Sequence, residues 1–439
     1  MRNLVRALSL ACVAPAMVAC GDDASKPAGP ESDVACEQAD PGLPIFNVDT
    51  GACEAIPPCE SDAACAAADA TTPLCSPTTN KCEALPPGNA IGYRAGTADS
   101  VNITTIFKPS TAYEATDLGF HPTRDELWVI NRYFEVAGVC GENSGFNARC
   151  ASLEGFVQII KNVGAATQTA EKRTDENGWH FMRRPSSMAI GAGETFASCS
   201  ESDTGNYEDD PVMYNGPSLW SLDLSIFAKP SGQNGSHLDM LHNTPRCVGI
   251  AHEDANIYWL FNGFRGSIDR VDFAADHGPG MHDHSDGTIF RYAEGQLLRV
   301  ENSPGHMVFN HADQHLYVSD SGNGRIVKLD TNSGTVSGPF RPNYEALEDF
   351  GNMADAVLTD VVPAGRIAQP GGLALHEGLL YVVDVPISRF LVFDLDGKEL
   401  RSLDSGLPPY TIGGIEMGPD GHIYFTNRKT GEVHRLDPK

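Results

Sequence analysis

The chain has 439 residues, of which 41% are hydrophobic, and its 31 lysines and arginines are outnumbered by 58 aspartates and glutamates. The formal net charge of −27 argues against nucleic acid or an anionic lipid surface as the main partner, because both repel an acidic protein. The length suffices for one large domain and one small one.

The N-terminus has the features of an export signal. Arg2 and Arg6 precede a short apolar run, residues 7–18, which is too short to span a bilayer as a stable helix. The run leads into Met-Val-Ala-Cys-Gly at residues 17–21, and this pattern resembles a bacterial lipobox with methionine where leucine is usual. The resemblance implies a lipid on Cys20 and a cell-envelope protein, outside the cytoplasm, held to the membrane by that anchor alone. An ordinary signal peptide with an incidental cysteine is the alternative.

Two small segments follow the signal. Residues 21–33 are rich in Ala, Pro, Gly, Ser and Asp, which predicts a flexible tether. Residues 34–87 contain few large apolar side chains but six cysteines, so we predict a small module stabilised by disulfides rather than by a core. Three bridges allow fifteen pairings, and the sequence does not choose among them. The module has no histidine and no Cys-x-x-Cys pair, which argues against a metal site there.

From residue 91 onward the chain repeats a unit of short strands separated by turns. In residues 304–329 the unit reads Pro-Gly-His-Met-Val-Phe-Asn, then Leu-Tyr-Val-Ser-Asp, then Arg-Ile-Val-Lys-Leu after a Gly-Asn-Gly turn. Six units align on an aromatic residue in the second strand. These residues are Trp128, Phe196, Tyr258, Tyr317, Tyr381 and Tyr424.

The units resemble NHL repeats, the blades of a β-propeller, most strongly in residues 304–329, 370–395 and 412–436. We therefore expect an all-β fold in which a six-bladed propeller, residues 91–439, follows the small disulfide-rich module. The chain ends soon after the third strand of the sixth unit, so residues 91–107 are expected to supply its missing outer strand and close the ring. The resemblance implies a fold rather than an activity, since such propellers include both binding platforms and enzymes.

Four cysteines lie within the propeller. Cys199, on the second strand of unit two, and Cys247, on the inner strand of unit three, are predicted to form a disulfide across a blade junction. Cys140 and Cys150 are predicted to close the long loop of unit one.

A histidine-rich stretch at residues 276–287 suggests metal chemistry, because imidazole is the commonest transition-metal ligand. His306 begins the inner strand of the next unit. We predict that His277, His284 and His306 hold a divalent ion, zinc or copper rather than calcium, with one coordination position left open. A solvent-exposed loop without a resident metal is the alternative.

Polar residues near the starts of the inner strands predict a ligand-binding surface at the channel mouth. The candidates are Asp117, Ser186 and Arg246, the last of which would pair with an anionic group. No nucleophile elbow, Walker loop, dinucleotide fingerprint or His-Glu-x-x-His motif occurs. The leading hypothesis is an exported lipoprotein that binds an unknown small molecule or protein through its channel face. The alternative is a metal-dependent hydrolase or lyase with the ion at the channel.

Overall fold

The computed structural model describes residues 45–47, 52–54, 58–94, 96–134, 154–202, 215–230, 234–281 and 283–439. Cys20, the tether at residues 21–33, and Cys140 and Cys150 lie outside these ranges. The chain divides into two compact units, Met1–Leu85 and Pro86–Lys439. Within the described ranges, no helix has the length and apolar character needed to cross a membrane.

In its described residues, the first unit is held together by disulfides around a short helix, Asp62–Ala68. Ser61 caps this helix, since its hydroxyl accepts the N–H of Ala64 at 3.1 Å. The bridges Cys59–Cys75 and Cys65–Cys82 tie the helix and the residues before it to a short hairpin. The strands of this unit are Ile45–Asn47, which pairs with Ala52–Glu54, and Leu74–Cys75, which pairs with Cys82–Glu83.

The second unit is a propeller of six blades, each built on four antiparallel strands, and confirms the predicted fold class. The inner strands of blades 1 to 6 are Glu114–Phe120, Pro185–Ile190, Cys247–Asp254, Met307–Asn310, Pro370–His376 and Ile412–Met417. The second strands are Glu126–Arg132, Thr195–Ser200, Ile257–Asn262, His315–Asp320, Leu379–Asp384 and Ile423–Asn427. The third strands are Gly155–Lys161, Ser218–Ser221, Ser267–Asp272, Arg325–Asp330, Arg389–Asp394 and Val433–Pro438.

The outer strands of blades 1 to 5 are Thr169–Arg173, Asp239–Met240, Thr288–Tyr292, Leu358–Val362 and Glu399–Asp404. Among the described residues of this unit, the helical segments are short: an α-helical turn, Gly178–Phe181, and 3-10 turns at Asn89–Ile91, Ala98–Ser100 and Val385–Ile387. Each inner strand contacts the next, and that of blade 6 contacts that of blade 1, so the ring is complete.

An N-terminal strand, Val101–Phe107, provides the outer strand of blade 6 by pairing antiparallel with Val433–Pro438. Val101 and Ile106 are buried, whereas Asn102 lies on the exposed side. The predicted closure of the ring is therefore confirmed, and the last blade has no open edge.

The aromatic residues that marked the repeats lie in the cores between blades. Trp128 and Phe196 pack with Trp220 and Phe227 between blades 1 and 2. Tyr258 and Tyr317 are also fully buried, in the cores of later junctions. Each blade is thus stabilised by its neighbours, as expected of a radial repeat.

The inner strands begin with an irregular register in blades 1, 2, 3, 5 and 6. Such bulges leave backbone N–H groups without a partner on the neighbouring strand. Side-chain oxygens accept hydrogen bonds from some of these N–H groups. The N–H of Met188 donates to Asp117 Oδ2 at 3.0 Å, and that of Ile250 donates to Ser187 Oγ at 3.1 Å. A Cβ on Gly414 would lie 2.3 Å from Asp117 Oδ1. Glycine is therefore required where the inner strands crowd together.

Blade 3 carries a hairpin that the sequence did not predict. Strands Thr335–Gly338 and Asp349–Ala354 pair with each other, and the second adds in parallel to Thr288–Tyr292. This hairpin is inserted between the third and outer strands of blade 4. Its first strand is mostly exposed, so it shows no inside-outside alternation from which it could have been predicted.

Candidate functional site

A cavity of about 400 Å³ occupies the propeller channel, and all six blades contribute to its wall. Its polar side chains include Asp117, His306 and Glu416, and the described lining residues include no lysine or arginine. The apolar part of the wall includes Phe120, Met188, Ile190, Ile250, Phe309 and Leu373. The cavity thus combines an apolar surface with a few polar groups, as small-molecule sites usually do.

The cavity opens at the face where the inner strands end. Phe120, Ile190 and Glu416 lie near those ends and are partly exposed, whereas Pro185 and Cys247 at the strand starts are buried. A ligand would therefore enter the cavity at the ends of the inner strands, whereas the sequence predicted a binding surface at their starts.

The other face is covered by residues 298–303, which we call the plug. The backbone N–H of Asn302 donates to Glu201 Oε1 at 2.8 Å, and its side-chain oxygen accepts from Arg184 at 3.0 Å. The carbonyl of Asn302 also accepts from Arg428 of blade 6. Glu201 is bound by Arg132 as well, at 3.0 Å. The plug is thus anchored to blades 2 and 6, on the face where the sequence predicted the channel mouth.

Asp117 and His306 form a buried pair in the cavity wall, where His306 Nδ1 lies 3.5 Å from Asp117 Oδ1. Burial raises the pKa of Asp117, and the nearby His306 and the N–H donors Met188 and Leu118 oppose that effect. His306 is 3% exposed, and its Nε2 has no hydrogen-bond partner among the described residues. A buried polar atom without a partner, on a residue of a cavity wall, is a natural place for a ligand group.

Glu416, on the inner strand of blade 6, completes the polar set and was missed in the sequence. Burial and the neighbouring Asp117 raise the pKa of Glu416 to about 8. The carboxyl group is therefore largely protonated at neutral pH and can donate a hydrogen bond to a ligand. The sequence did contain a signal for this site, since Glu416 is a charged residue within the otherwise apolar strand Ile412–Met417.

We expect Glu416→Gln to remove a pH dependence of stability. Because the pKa is raised from 4.5 in the unfolded chain to about 8 in the fold, native stability falls as pH rises through this interval. The variant should therefore melt at a higher temperature than the native protein at about pH 8, and the two should converge near about pH 4. The control is Glu301→Gln at an exposed position. Equal pH profiles for native protein and Glu416→Gln would contradict the assignment.

Two predicted ligand-binding residues have other positions. The Ser186 hydroxyl donates to the carbonyl of Cys247 at 2.6 Å, beside the disulfide that joins Cys247 to Cys199. Arg246 extends its guanidinium over the ring of Phe264, with 5.5 Å to the ring centre. Neither Ser186 nor Arg246 lines the described cavity, and both lie at the junction of blades 2 and 3. Of the three candidates, Asp117 alone is in the cavity wall.

The structure does not form the predicted three-histidine site. His277 Nε2 lies 3.1 Å from Asp286 Oδ1, His284 Nδ1 lies 2.7 Å from Glu345 Oε2, and His306 is in the channel. The physical reason is topological. In an antiparallel blade, the loop between the third and outer strands emerges where the inner strands end, whereas His306 precedes the start of one.

The histidine-rich loop instead contributes to a group of six ionisable residues on the rim, which we call the rim cluster. One half consists of Asp239, His277 and Asp286, and the other half consists of His242, His284 and Glu345. Within each half, the possible ligand atoms lie within 4.8 Å of one another. Burial raises the pKa of Asp239 to about 7. Burial alone would also raise the pKa of Glu345, but hydrogen bonds from His242 and His284 lower it to about 2.

No protein-family model matches this chain, and no curated protein matches it either. Among solved structures, it is similar to an auxiliary nutrient binding protein from Bacteroides thetaiotaomicron, with 9% identity over 76% of this chain and 75% of that one, at a TM-score of 0.48. A luciferin-regenerating enzyme is 11% identical over 77% and 95% of the two chains, with a TM-score of 0.47. The calcium-binding protein regucalcin from Agrobacterium tumefaciens is 12% identical over 79% and 98%, with a TM-score of 0.43. Likenesses at this level carry no functional argument.

Proposed function

We propose that this protein is an exported, lipid-anchored propeller that binds a small molecule in its channel cavity. The observation that carries the proposal is the His306 imidazole, which is buried against Asp117 in the wall of a cavity of about 400 Å³ and whose Nε2 has no hydrogen-bond partner among the described residues. A polar ligand group at this position would satisfy a group that otherwise remains buried without a hydrogen bond.

The cavity wall favours a particular class of ligand. Asp117 and Glu416 bring two carboxyl groups, and the described wall has no lysine or arginine to balance an anion. The remaining wall is largely apolar, with Phe120, Ile190 and Phe309. We therefore infer an uncharged or cationic molecule, with an apolar body and a hydrogen-bonding group that reaches His306.

Export and anchoring rest on the N-terminal sequence and on the disulfides. The lipobox-like pattern before Cys20 favours lipidation, and three described bridges suit an oxidising compartment. The tether at residues 21–33 would then hold the folded units away from the membrane surface. Mass spectrometry of membrane-purified protein tests this part, since a Cys20→Ser variant should lack the lipid mass.

The binding proposal is tested by a thermal-shift screen with neutral, cationic and anionic small molecules, followed by calorimetry on each hit. We expect hits among neutral or cationic compounds, and a loss of affinity of about 10–100-fold in His306→Gln, which removes one buried hydrogen-bonding partner. The matched control is His311→Gln, at an exposed position of the same blade. Hits that bind equally well to native protein and to His306→Gln would contradict the proposal.

A metal-dependent hydrolase or lyase remains the second candidate, because His306, Asp117 and Glu416 are nitrogen and oxygen donors in one cavity wall. In that case His306 would be a ligand of the ion, which would supply an activated water. Such a site requires stoichiometric metal that is lost in His306→Ala. Retention of all bound metal in that variant would exclude this candidate.

A further inference from the structure

We propose that Asp239, His277 and Asp286 form a binding site for a divalent transition-metal ion on the propeller rim, separate from the channel. Asp239 begins the outer strand of blade 2, Asp239–Met240. His277 and Asp286 lie on the loop that precedes Thr288–Tyr292, the outer strand of blade 3. The site would therefore link two neighbouring blades.

The three side chains lie nearly as close together as the ligands of a bound metal ion. His277 Nε2 lies 3.1 Å from Asp286 Oδ1 and 4.0 Å from Asp239 Oδ2, and the three ligand atoms are within 4.8 Å of one another. Zinc binds nitrogen and oxygen at about 2.0–2.2 Å, so ligand atoms around one ion are about 3–3.6 Å apart. Only a small closure of the three side chains is needed.

Asp239 provides an independent reason to expect a cation. Its side chain is 0% exposed, and Oδ1 accepts the N–H of Met240 at 2.7 Å. Its Oδ2 is buried and has no hydrogen-bond partner among the described residues. A buried carboxylate oxygen without a partner is costly. This oxygen is the one that points toward His277, and a cation between them would satisfy it.

The other half of the rim cluster acts as a support. Glu345 Oε2 accepts from both His242 and His284 at 2.7 Å, and Oε1 accepts from the backbone of His242 and the amide of Asn243. Both oxygens of Glu345 are thus already engaged by donors. These bonds fix the loop that carries His277 and Asp286, which is how outer groups commonly orient metal ligands.

The donor set indicates the class of ion. One imidazole and two carboxylates suit zinc or a similar first-row ion, whereas calcium prefers an all-oxygen shell. We therefore expect zinc to bind and excess calcium not to displace it.

The test uses full-length protein stripped with chelator and titrated with zinc chloride by calorimetry, with elemental analysis after dialysis. We expect about one zinc per chain at this site and a zinc-dependent rise in melting temperature. Asp239→Asn and His277→Ala should each weaken binding at least tenfold, because even the loss of an outer group that orients a ligand costs about 10–100-fold. Asp283→Asn is the matched control, since this carboxylate on the same loop accepts from Ser285 instead.

Asp239→Asn keeps the shape of the side chain, so loss of binding is separable from misfolding by circular dichroism and by the melting temperature of metal-free protein. His306→Gln should bind zinc like the native protein, so that the channel proposal and this one can fail independently. Absence of zinc binding by the native protein would overturn the proposal. Native affinity in both Asp239→Asn and His277→Ala would do the same.

Discussion

Truncation of the chain immediately before Lys108 is expected to abolish the cooperative unfolding transition of the propeller. This variant lacks the closing strand Val101–Phe107, so Val433–Pro438 becomes an open edge of blade 6. The buried contacts of Val101 and Ile106 with neighbouring core residues are lost at the same time. Domains have only about 5–15 kcal/mol of net stability, and loss of a whole strand together with its core side chains is of that order.

The control truncation begins at Pro86, the first residue of the second compact unit, and keeps the closing strand. It should unfold in a single sharp transition when followed by circular dichroism. Equal melting temperatures of the two truncated proteins would contradict this prediction.

The second large effect is expected for Asp269→Ala, which should lower the free energy of unfolding by about 3–5 kcal/mol, as removal of one partner of a buried ion pair does. Asp269 binds Arg291 through two hydrogen bonds of 2.9 Å, and the two side chains are 0% and 1% exposed. Asn262 and Ser267 also donate to this carboxylate at 2.8 Å. Without Asp269, the guanidinium would be left as a buried charge with no carboxylate partner.

A closely matched control lies in the same blade. Glu253 binds Arg270 through two hydrogen bonds of 2.8 Å, but these side chains are 21% and 25% exposed. Glu253→Ala should therefore lower stability by about 1 kcal/mol or less. Urea unfolding of both variants measures the difference, and equal losses would show that burial of the Asp269–Arg291 pair has no special energetic role.

The buried ion pair also bears on the rim cluster. Arg291 donates to the carbonyl of Asn243 at 2.9 Å, and the amide of Asn243 donates to Glu345 Oε1 at 2.9 Å. A continuous set of hydrogen bonds thus connects the core of blade 3 to the group that supports the proposed metal ligands. Asp269→Ala is expected to weaken zinc binding even though Asp269 is not a ligand.

The fold was predictable because it repeats. Each blade places a buried aromatic residue such as Trp128 or Tyr317 at the same position of its second strand, and six aligned copies reinforce a weak local pattern. The closing strand was predictable because an open edge on blade 6 would be unfavourable. The hairpin formed by Thr335–Gly338 and Asp349–Ala354 was not, because it occurs once and its first strand is largely exposed.

The candidate sites were only partly predictable, because they depend on contacts between blades. The sequence indicated Asp117 and His306 separately, but their approach to 3.5 Å joins blades 1 and 4 across the channel. It grouped His277 and His284 with His306 by residue type and spacing, although the strand order of a blade places the loop before an outer strand opposite the start of an inner strand. Glu345 reaches the rim cluster from the connection within the inserted hairpin, 61 residues after His284, and no local pattern predicts such a contact.

The most direct test of the channel proposal is a crystal structure of the native protein with a ligand identified by the thermal-shift screen. We predict that the ligand occupies the cavity of about 400 Å³ and places a polar atom within hydrogen-bond distance of His306 Nε2. A ligand bound on the plug side of the ring, or elsewhere on the surface with only water beside His306, would contradict the account.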